Sequence, residues 1–332
     1  MPKRWLVTGG CGFIGVNLVK ALKQRGDGVR VLDNFSVGSR DDLQAVTEFT
    51  ESSAPTGFAP AQVELMAGDI RDRATCQQAV RGVEAVVHLA AQTGVIPSQK
   101  DPRFDCEQNV LGTLNLLQAA REAGLKKFIF ASSSAPLGEQ QPPIHEEKVP
   151  KPLAPYGASK LAGEAYCSAF HASFALDTVA LRFSNAYGPY SFKKGSVVAL
   201  FFRRALADQP LILYGDGRQT RDFLHVQDLC QAIIQAAEAA AGGEVFQIAT
   251  GRETKVVELA HRVKSLVERD TSRQVKIGRE PARPGEIYRN FSDISKAREK
   301  LGYQPRIGLP EGLEDTWNWF KSQKQGRPEQ RN

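Results

Sequence analysis

Trp5-Leu6-Val7-Thr8-Gly9-Gly10-Cys11-Gly12-Phe13-Ile14-Gly15 is the stretch on which the reading of the fold turns. A short apolar run breaks at glycines, and an amphipathic run over 13–23 follows, so a strand leads through a tight turn into a helix. Gly10, Gly12 and Gly15 satisfy GxGxxG, with Gly9 just ahead of them. Glycines there let the backbone approach a pyrophosphate, and the first turn of the helix, Phe13 and Ile14 included, offers free N–H groups and a partial positive charge. Taken alone, such a loop is also an ordinary glycine-rich turn. Its setting decides between the two. A second apolar run, Val29-Arg30-Val31-Leu32, ends in Asp33, which follows Gly15 at close to the ~20-residue offset of a ribose-binding carboxylate. A dinucleotide site is therefore expected, with Asp33 accepting from the adenosine ribose hydroxyls, helped by Asn34 beside it. A carboxylate there repels a 2′-phosphate, which favours NAD over NADP. Arg40 points the other way, but a solvated side chain explains it as well.

Working outward, apolar runs at 63–66, 85–89 and 128–130 alternate with helical patterns at 74–80 and 107–123. That alternation predicts an α/β fold, a Rossmann-type doubly wound parallel sheet covered on both faces. The segment 46–62, rich in Ser, Pro, Gly and Thr and without periodicity, reads as a surface insertion. Beyond Asn185 the alternation weakens, and helical patterns return at 226–241, 256–269 and 293–301. The expected organisation is a Rossmann domain over 1–184, with 223–250 returning to it. A smaller C-terminal α/β domain takes 185–222 and 251–320, and 321–332 is a polar tail.

With 332 residues the chain is long enough to bury a core without covalent staples. The balance of 43 basic against 37 acidic residues leaves a charge of +6 without a basic stripe, so no nucleic-acid partner is expected. No apolar run is long enough for a membrane span, and the N-terminus passes straight into a strand, which leads us to expect a cytoplasmic protein. The five cysteines form no CxxC pair and the five histidines no HxxxH, so no metal site is expected.

Tyr156-Gly-Ala-Ser-Lys160 places a phenol and an ammonium one helical turn apart on the same face. A nearby cation lowers the pKa of a tyrosine from its usual ~10, which makes Tyr156 a candidate acid–base group. Ser132, Ser133 and Ser134 follow the fifth strand and offer a hydroxyl to the same substrate oxygen.

These motifs, together with Asp69-Ile70, His88-Leu89-Ala90-Ala91, Asn109, Arg182-Phe183-Ser184-Asn185-Ala186-Tyr187-Gly188-Pro189, Arg221-Asp222-Phe223 and Arg283-Pro284-Gly285-Glu286, run nearly the whole chain. In them the chain resembles the extended short-chain dehydrogenase/reductase family, in its nucleotide-sugar epimerase/dehydratase branch. The resemblance implies a catalytic set of Ser133, Tyr156 and Lys160. It implies that Asp69 and Ile70 contact adenine, and that Leu89, Ala90, Ala91 and Asn109 line the cofactor's path. It implies a nucleotide-sugar site built from Asn185, Ser196, Val197, Tyr214, Arg221, Arg283 and Glu286, with Phe223 also packing the base. Arginines suit a pyrophosphate because guanidinium binds phosphate as a fork. A homodimer paired through the helices around 107–123 and 156–174 is implied as well. One departure is Leu137, where the family usually has a tyrosine that shapes the sugar pocket.

Within that branch, dehydratases and many decarboxylases carry an acid after the catalytic Ser/Thr, and here Ser134 stands in that place. The resemblance then implies NAD-dependent epimerisation at C4 of a UDP-sugar through a 4-keto intermediate, with UDP-glucose/UDP-galactose or the N-acetylated pair leading. The alternatives are a UDP-glucuronate epimerase or decarboxylase, for which Lys193 and Lys194 are candidate extra bases, a CDP-sugar epimerase, or another epimerase/dehydratase. A non-catalytic, dinucleotide-sensing relative typically lacks Tyr or Lys of the active pair, and both are present. The resemblance also implies that the residue four positions after Glu286, Asn290, borders the sugar's 2-substituent, where its small amide leaves room for an N-acetyl group; the alternative is a loop residue facing solvent.

Overall fold

A computed structural model describes residues 3–53, 59–283 and 287–325. The first half runs β1 (Arg4–Thr8), α1 (Phe13–Gln24), β2 (Gly28–Asp33), α2 (Arg40–Gln44), β3 (Thr50–Glu51), β4 (Val63–Ala67), α3 (Arg73–Ala79) and β5 (Ala85–His88). It continues through α4 (Val95–Lys100), α5 (Pro102–Cys106), α6 (Gly112–Glu122), β6 (Lys127–Ser133), α7 (Pro155–Phe174) and β7 (Asp177–Phe183). A π turn, Glu107–Leu111, joins α5 to α6, so the helix expected over 107–123 is interrupted at its start. The second half comprises β8 (Asn185–Tyr187), α8 (Val197–Leu206), β9 (Leu211–Tyr214), β10 (Thr220–Arg221), β11 (Phe223–His225), α9 (Val226–Glu238) and β12 (Val245–Ile248). It closes with β13 (Thr254–Lys255), α10 (Val256–Thr271), β14 (Ile277–Glu280), α11 (Ser295–Leu301) and α12 (Leu309–Gln325).

Eight strands form one sheet in the order β12-β7-β6-β5-β1-β2-β4-β3, every pair parallel. Alternate side chains go to opposite faces. Trp5, Val7, Val29 and Val31 pack under α1 and α9, while Leu6, Leu32, Val86 and Phe130 pack under α6 and α7. Chain direction reverses its progress at β1, flanked by β2 and β5, and ligands of such sheets bind at the strand C-termini beside that point.

The segment expected to be a plain surface insertion contributes β3, an edge strand on β4. Three two-stranded pairs lie outside the main sheet: β8 with β11, β9 with β14, and β10 with β13. A third apolar cluster binds the first two of these pairs to α8, α10 and α12 through Phe202, Leu213, Val263, Trp317 and Phe320. The stretch expected to be a tail from 321 onward begins as the last turn of α12. Among the described residues no helix is long and apolar enough to cross a membrane, and no group of ligating side chains could hold a metal ion.

Candidate active site

The glycine loop closes against β5. Gly9 has φ +69, and a Cβ on it would lie 2.8 Å from the Ala90 amide nitrogen. At Gly15 a Cβ would lie 2.2 Å from the Gly9 carbonyl oxygen, so only glycine lets α1 sit this close to the turn. Gly12 caps α1 without a side-chain acceptor, and a Cβ there would meet only the Gly9 oxygen at 3.3 Å. Its outer side is open, and the first-turn amides at Phe13 and Ile14 are left for a ligand.

Asp33 ties β2 to this loop: Oδ2 accepts from the Cys11 amide at 2.9 Å and Oδ1 from the Phe35 amide at 2.8 Å. Burial raises its pKa, with the two amide bonds opposing the rise. Asn34 donates to Asp69 Oδ2 at 3.0 Å, and Arg71 pairs with the same carboxylate. Burial works against ionisation of Asp69, but the bonds from Arg71 and Asn34 outweigh it and hold the carboxyl down to about 2. The neighbouring Ile70 is buried.

The Leu89 and Ala90 amides donate to the Thr8 carbonyl and hydroxyl, which fixes the path of Leu89-Ala90-Ala91 beside the loop. His88 sits behind them between the hydroxyls of Thr8, at 2.8 Å, and Thr113, at 2.9 Å. Arg40 is not a free cation: it grips Glu51 of β3 with two bonds and lies 4.0 Å over the Phe35 ring. An open glycine, unspent amides at a helix start and an acid at the end of β2 together fit a dinucleotide with an unphosphorylated ribose.

The proton-handling groups meet at the end of β6. Tyr156, in the first turn of α7, lies beside Ser133, whose hydroxyl favours the phenolate. Ser132 faces the other way and donates to Glu164 at 2.5 Å, so Ser133 is the one of the three serines that meets the phenol. Lys160 lies one turn further along α7 and donates to the Ala131 carbonyl at 2.8 Å.

The expected lowering of the Tyr156 pKa by Lys160 is not found. Burial pushes the phenol up to about 12, Ser133 opposes the rise and Asp105 adds to it. The physical reason is the direction of Lys160, whose ammonium turns to the β6 carbonyl and stands 6.0 Å from the Tyr156 ring centre. Burial lowers Lys160 to about 8, against the pull of Asp105 and Glu164. Asn109, in the π turn, exchanges bonds with both the Gln92 amide and carbonyl and donates to Asp105 and Ser159. It braces α7 against the segment after β5.

Across the cleft, Asn185 opens β8 and Arg221 ends β10, donating to the carbonyls of Thr220 and Ile287. Ser196 caps α8, and its buried hydroxyl has no partner among the described residues; Val197 follows as the first helical residue. Tyr214 ends β9, and the Arg283 guanidinium stacks 3.6 Å from its ring centre. Phe223 does not join them. It opens β11, is 5% exposed and packs into the third apolar cluster. Glu286 lies outside the described residues. Leu137 is fully buried in a 3-10 turn. Asn290 is 8% exposed, its backbone N–H donating to the Thr220 hydroxyl, so the solvent-facing alternative fails.

Sequence reasoning passed over three contributors. Gly38, where a Cβ would lie 2.1 Å from the Cys11 carbonyl, lets the turn after β2 close on the glycine loop. Glu164 stands four residues beyond Lys160, and that same-face spacing was the available signal. Asp105 is buried beside Asn109, and nothing in its own sequence context marks it.

Residues 5–249 match the model of the NAD dependent epimerase/dehydratase family. A putative UDP-glucose 4-epimerase of Methanocaldococcus jannaschii is 36% identical over 96% of this chain and 98% of its own. Among solved structures, the UDP-N-acetylglucosamine 4-epimerase of Methanobrevibacter ruminantium, in complex with UDP-N-acetylmuramic acid, superposes with a TM-score of 0.88 at 31% identity, covering 97% and 99% of the two chains. The UDP-glucose 4-epimerase of Thermus thermophilus, a complex with NAD, gives 0.82 at 34% identity, covering 96% and 99%. With the glycine loop, the Ser133–Tyr156 contact and these likenesses in place, the chain belongs to the NAD-dependent epimerase/dehydratase family of nucleotide-sugar enzymes.

Proposed function

We propose that this chain interconverts the C4 epimers of a UDP-sugar, UDP-glucose/UDP-galactose or the N-acetylated pair. The observation that carries the reading is the placement of Tyr156 beside Ser133 at the end of β6, followed by Ser134 and not by an acid. Tyr156 takes the C4 hydroxyl proton and returns it, and Ser133 holds the same oxygen during the exchange. Lys160 fixes the end of β6 relative to α7 and keeps a cation beneath the reacting groups. When bound, NAD supplies the hydride acceptor and donor and a positive ring whose charge favours the phenolate. The glycine loop with Gly9, Gly12 and Gly15, together with Asp33, Asn34 and Asp69, holds that cofactor.

Ser196, Arg221, Tyr214 and Arg283 hold the nucleotide end of the substrate, and the unpartnered Ser196 hydroxyl and the stacked Arg283–Tyr214 pair support that role. No carboxyl group follows Ser133, so the proton transfers at C5 and C6 that dehydration needs have no donor at that place. The names of the relatives support a UDP-sugar over other nucleotide sugars.

The test is incubation of the purified protein with separate UDP-, CDP- and GDP-sugars, with products identified by NMR. New C4 epimers of UDP-glucose or UDP-N-acetylglucosamine are expected; a 4-keto-6-deoxy or decarboxylated product overturns the reading. We further propose a cytoplasmic homodimer. Leu111, Tyr166 and Phe174 are exposed at 50%, 37% and 44% on the α6–α7 side, and a two-fold partner covers them. Light scattering that shows only monomer at micromolar concentration rejects the dimer.

A further inference from the structure

Lys194 is a cation the chemistry above does not use. It sits on the turn between β8 and α8, and its ammonium reaches back to the start of α1. Nζ donates to the Ala186 carbonyl at 2.7 Å and lies 5.0 Å from the centre of the Phe13 ring, the first residue of that helix. An ammonium has three protons to donate, and this one has a single protein acceptor. Among the described residues no carboxylate pairs with it, and its environment perturbs it through burial alone, down to about 8, so it remains mostly charged at neutral pH.

The charged groups on the packed elements do not neutralise it. Arg203 of α8 donates to the Lys194 carbonyl, adding positive charge. Lys193 points away, to the Val37 carbonyl and Asp42 of α2. The rest of the turn is fastened to the same place, since Asn17 of α1 donates both to Phe13, within its helix, and to the Pro189 carbonyl at 3.0 Å.

A half-buried ammonium with donors unspent is costly by itself, and the positive end of α1 beside it raises that cost. Both fields are relieved by one anion placed between them. We propose that Lys194 is a ligand of the dinucleotide's diphosphate at the start of α1, so that the C-terminal unit contributes directly to holding the cofactor. The proposal rests on the dinucleotide reading of the glycine loop, and if that reading fails the unsubstituted chain binds no NAD at all.

The experiment measures NAD carried through purification and, after its removal, the calorimetric affinities for NAD, ADP-ribose and UDP. Lys194→Met keeps the length and the aromatic contact of the side chain; Lys194→Arg keeps the charge. Circular dichroism and thermal melting check that each variant folds, and Lys194→Gln serves if the Met variant does not. Lys194→Met is expected to weaken NAD and ADP-ribose about tenfold or more while leaving UDP unchanged, as loss of one partner from a desolvated charge pair does. Lys194→Arg should recover part of the loss. Unchanged NAD and ADP-ribose affinities overturn the proposal. A loss confined to UDP also overturns it, because the ammonium then serves the substrate's diphosphate.

Discussion

Arg182 of β7 grips Glu164 of α7 with two bonds, Nε to Oε1 at 2.9 Å and Nη2 to Oε2 at 2.7 Å, and both side chains are 4% exposed. Ser132 donates to the same Glu164 oxygen. One carboxylate therefore fixes the strand that carries Ser133 and the helix that carries Tyr156 and Lys160. Glu164 touches none of the reacting atoms; it is a positioning residue.

Glu164→Gln leaves a buried guanidinium without its counter-charge. Losses from breaking such pairs run to about 3–5 kcal/mol, so a marked fall of the urea midpoint is expected with its m-value unchanged. In the fraction still folded, turnover should fall more than NAD binding. A variant as stable as the parent removes the pair from the account of this site.

Tyr156→Phe keeps the ring and its packing and loses only the hydroxyl beside Ser133. NAD content of the purified protein should be nearly unchanged while epimer turnover falls by about two or more orders of magnitude. Normal turnover in this variant excludes Tyr156 as the proton-transferring group.

His88 gives a stability prediction in acid. Burial, reinforced by Lys160, holds its folded value at about 3, below the ordinary 6.5. The unfolded chain therefore takes up this proton as pH falls below about 6.5, while the folded chain refuses it until about 3. Stability from this group is present above that window and is lost as pH falls through it, with a slope of up to about 1.4 kcal/mol per pH unit. Denaturant melts between pH 6.5 and 4 should show a shallower slope for His88→Asn than for the parent. Equal slopes mean the imidazole is protonated inside the fold.

On the proposed reading, cofactor choice depends on two acids: Asp33, placed to accept from the ribose, and Glu51, which holds Arg40 in an ion pair. Asp33→Ser should relax discrimination against NADP. Glu51→Gln should raise NADP affinity several-fold by freeing Arg40, and the double variant should exceed either alone. If titration shows Glu51→Gln no different from the parent, Arg40 lies out of reach of a 2′-phosphate.

Much of this arrangement was legible in the order of residues. The glycine loop, Asp33 and the Tyr156/Lys160 spacing announce themselves because each rests on local geometry: a turn, a strand end, one face of a helix. What stayed hidden depends on contacts between distant segments. Glu51 meets Arg40 through an edge strand too short for periodicity to reveal. Phe223 carries an aromatic ring in a family motif, yet it packs into the third apolar cluster, whose members come from distant segments. The direction of Lys160 follows from the Ala131 carbonyl lying where the ammonium ends, and the raised Tyr156 pKa follows from burial; helical spacing alone specifies neither.

The edge strand β12 bears on how the protein is made. β7 receives its outer neighbour from residues 245–248, after the chain has left the sheet to build β8, α8, β9, β10 and β11. α9, which covers Val179 and Leu181 on that side, also arrives late. During synthesis, a ribosome that has released β7 exposes an unpaired strand edge and a bare apolar face until more than sixty further residues have emerged. The sheet cannot be completed before the intervening elements are made, and a stop anywhere in that interval leaves β7 without its outer neighbour.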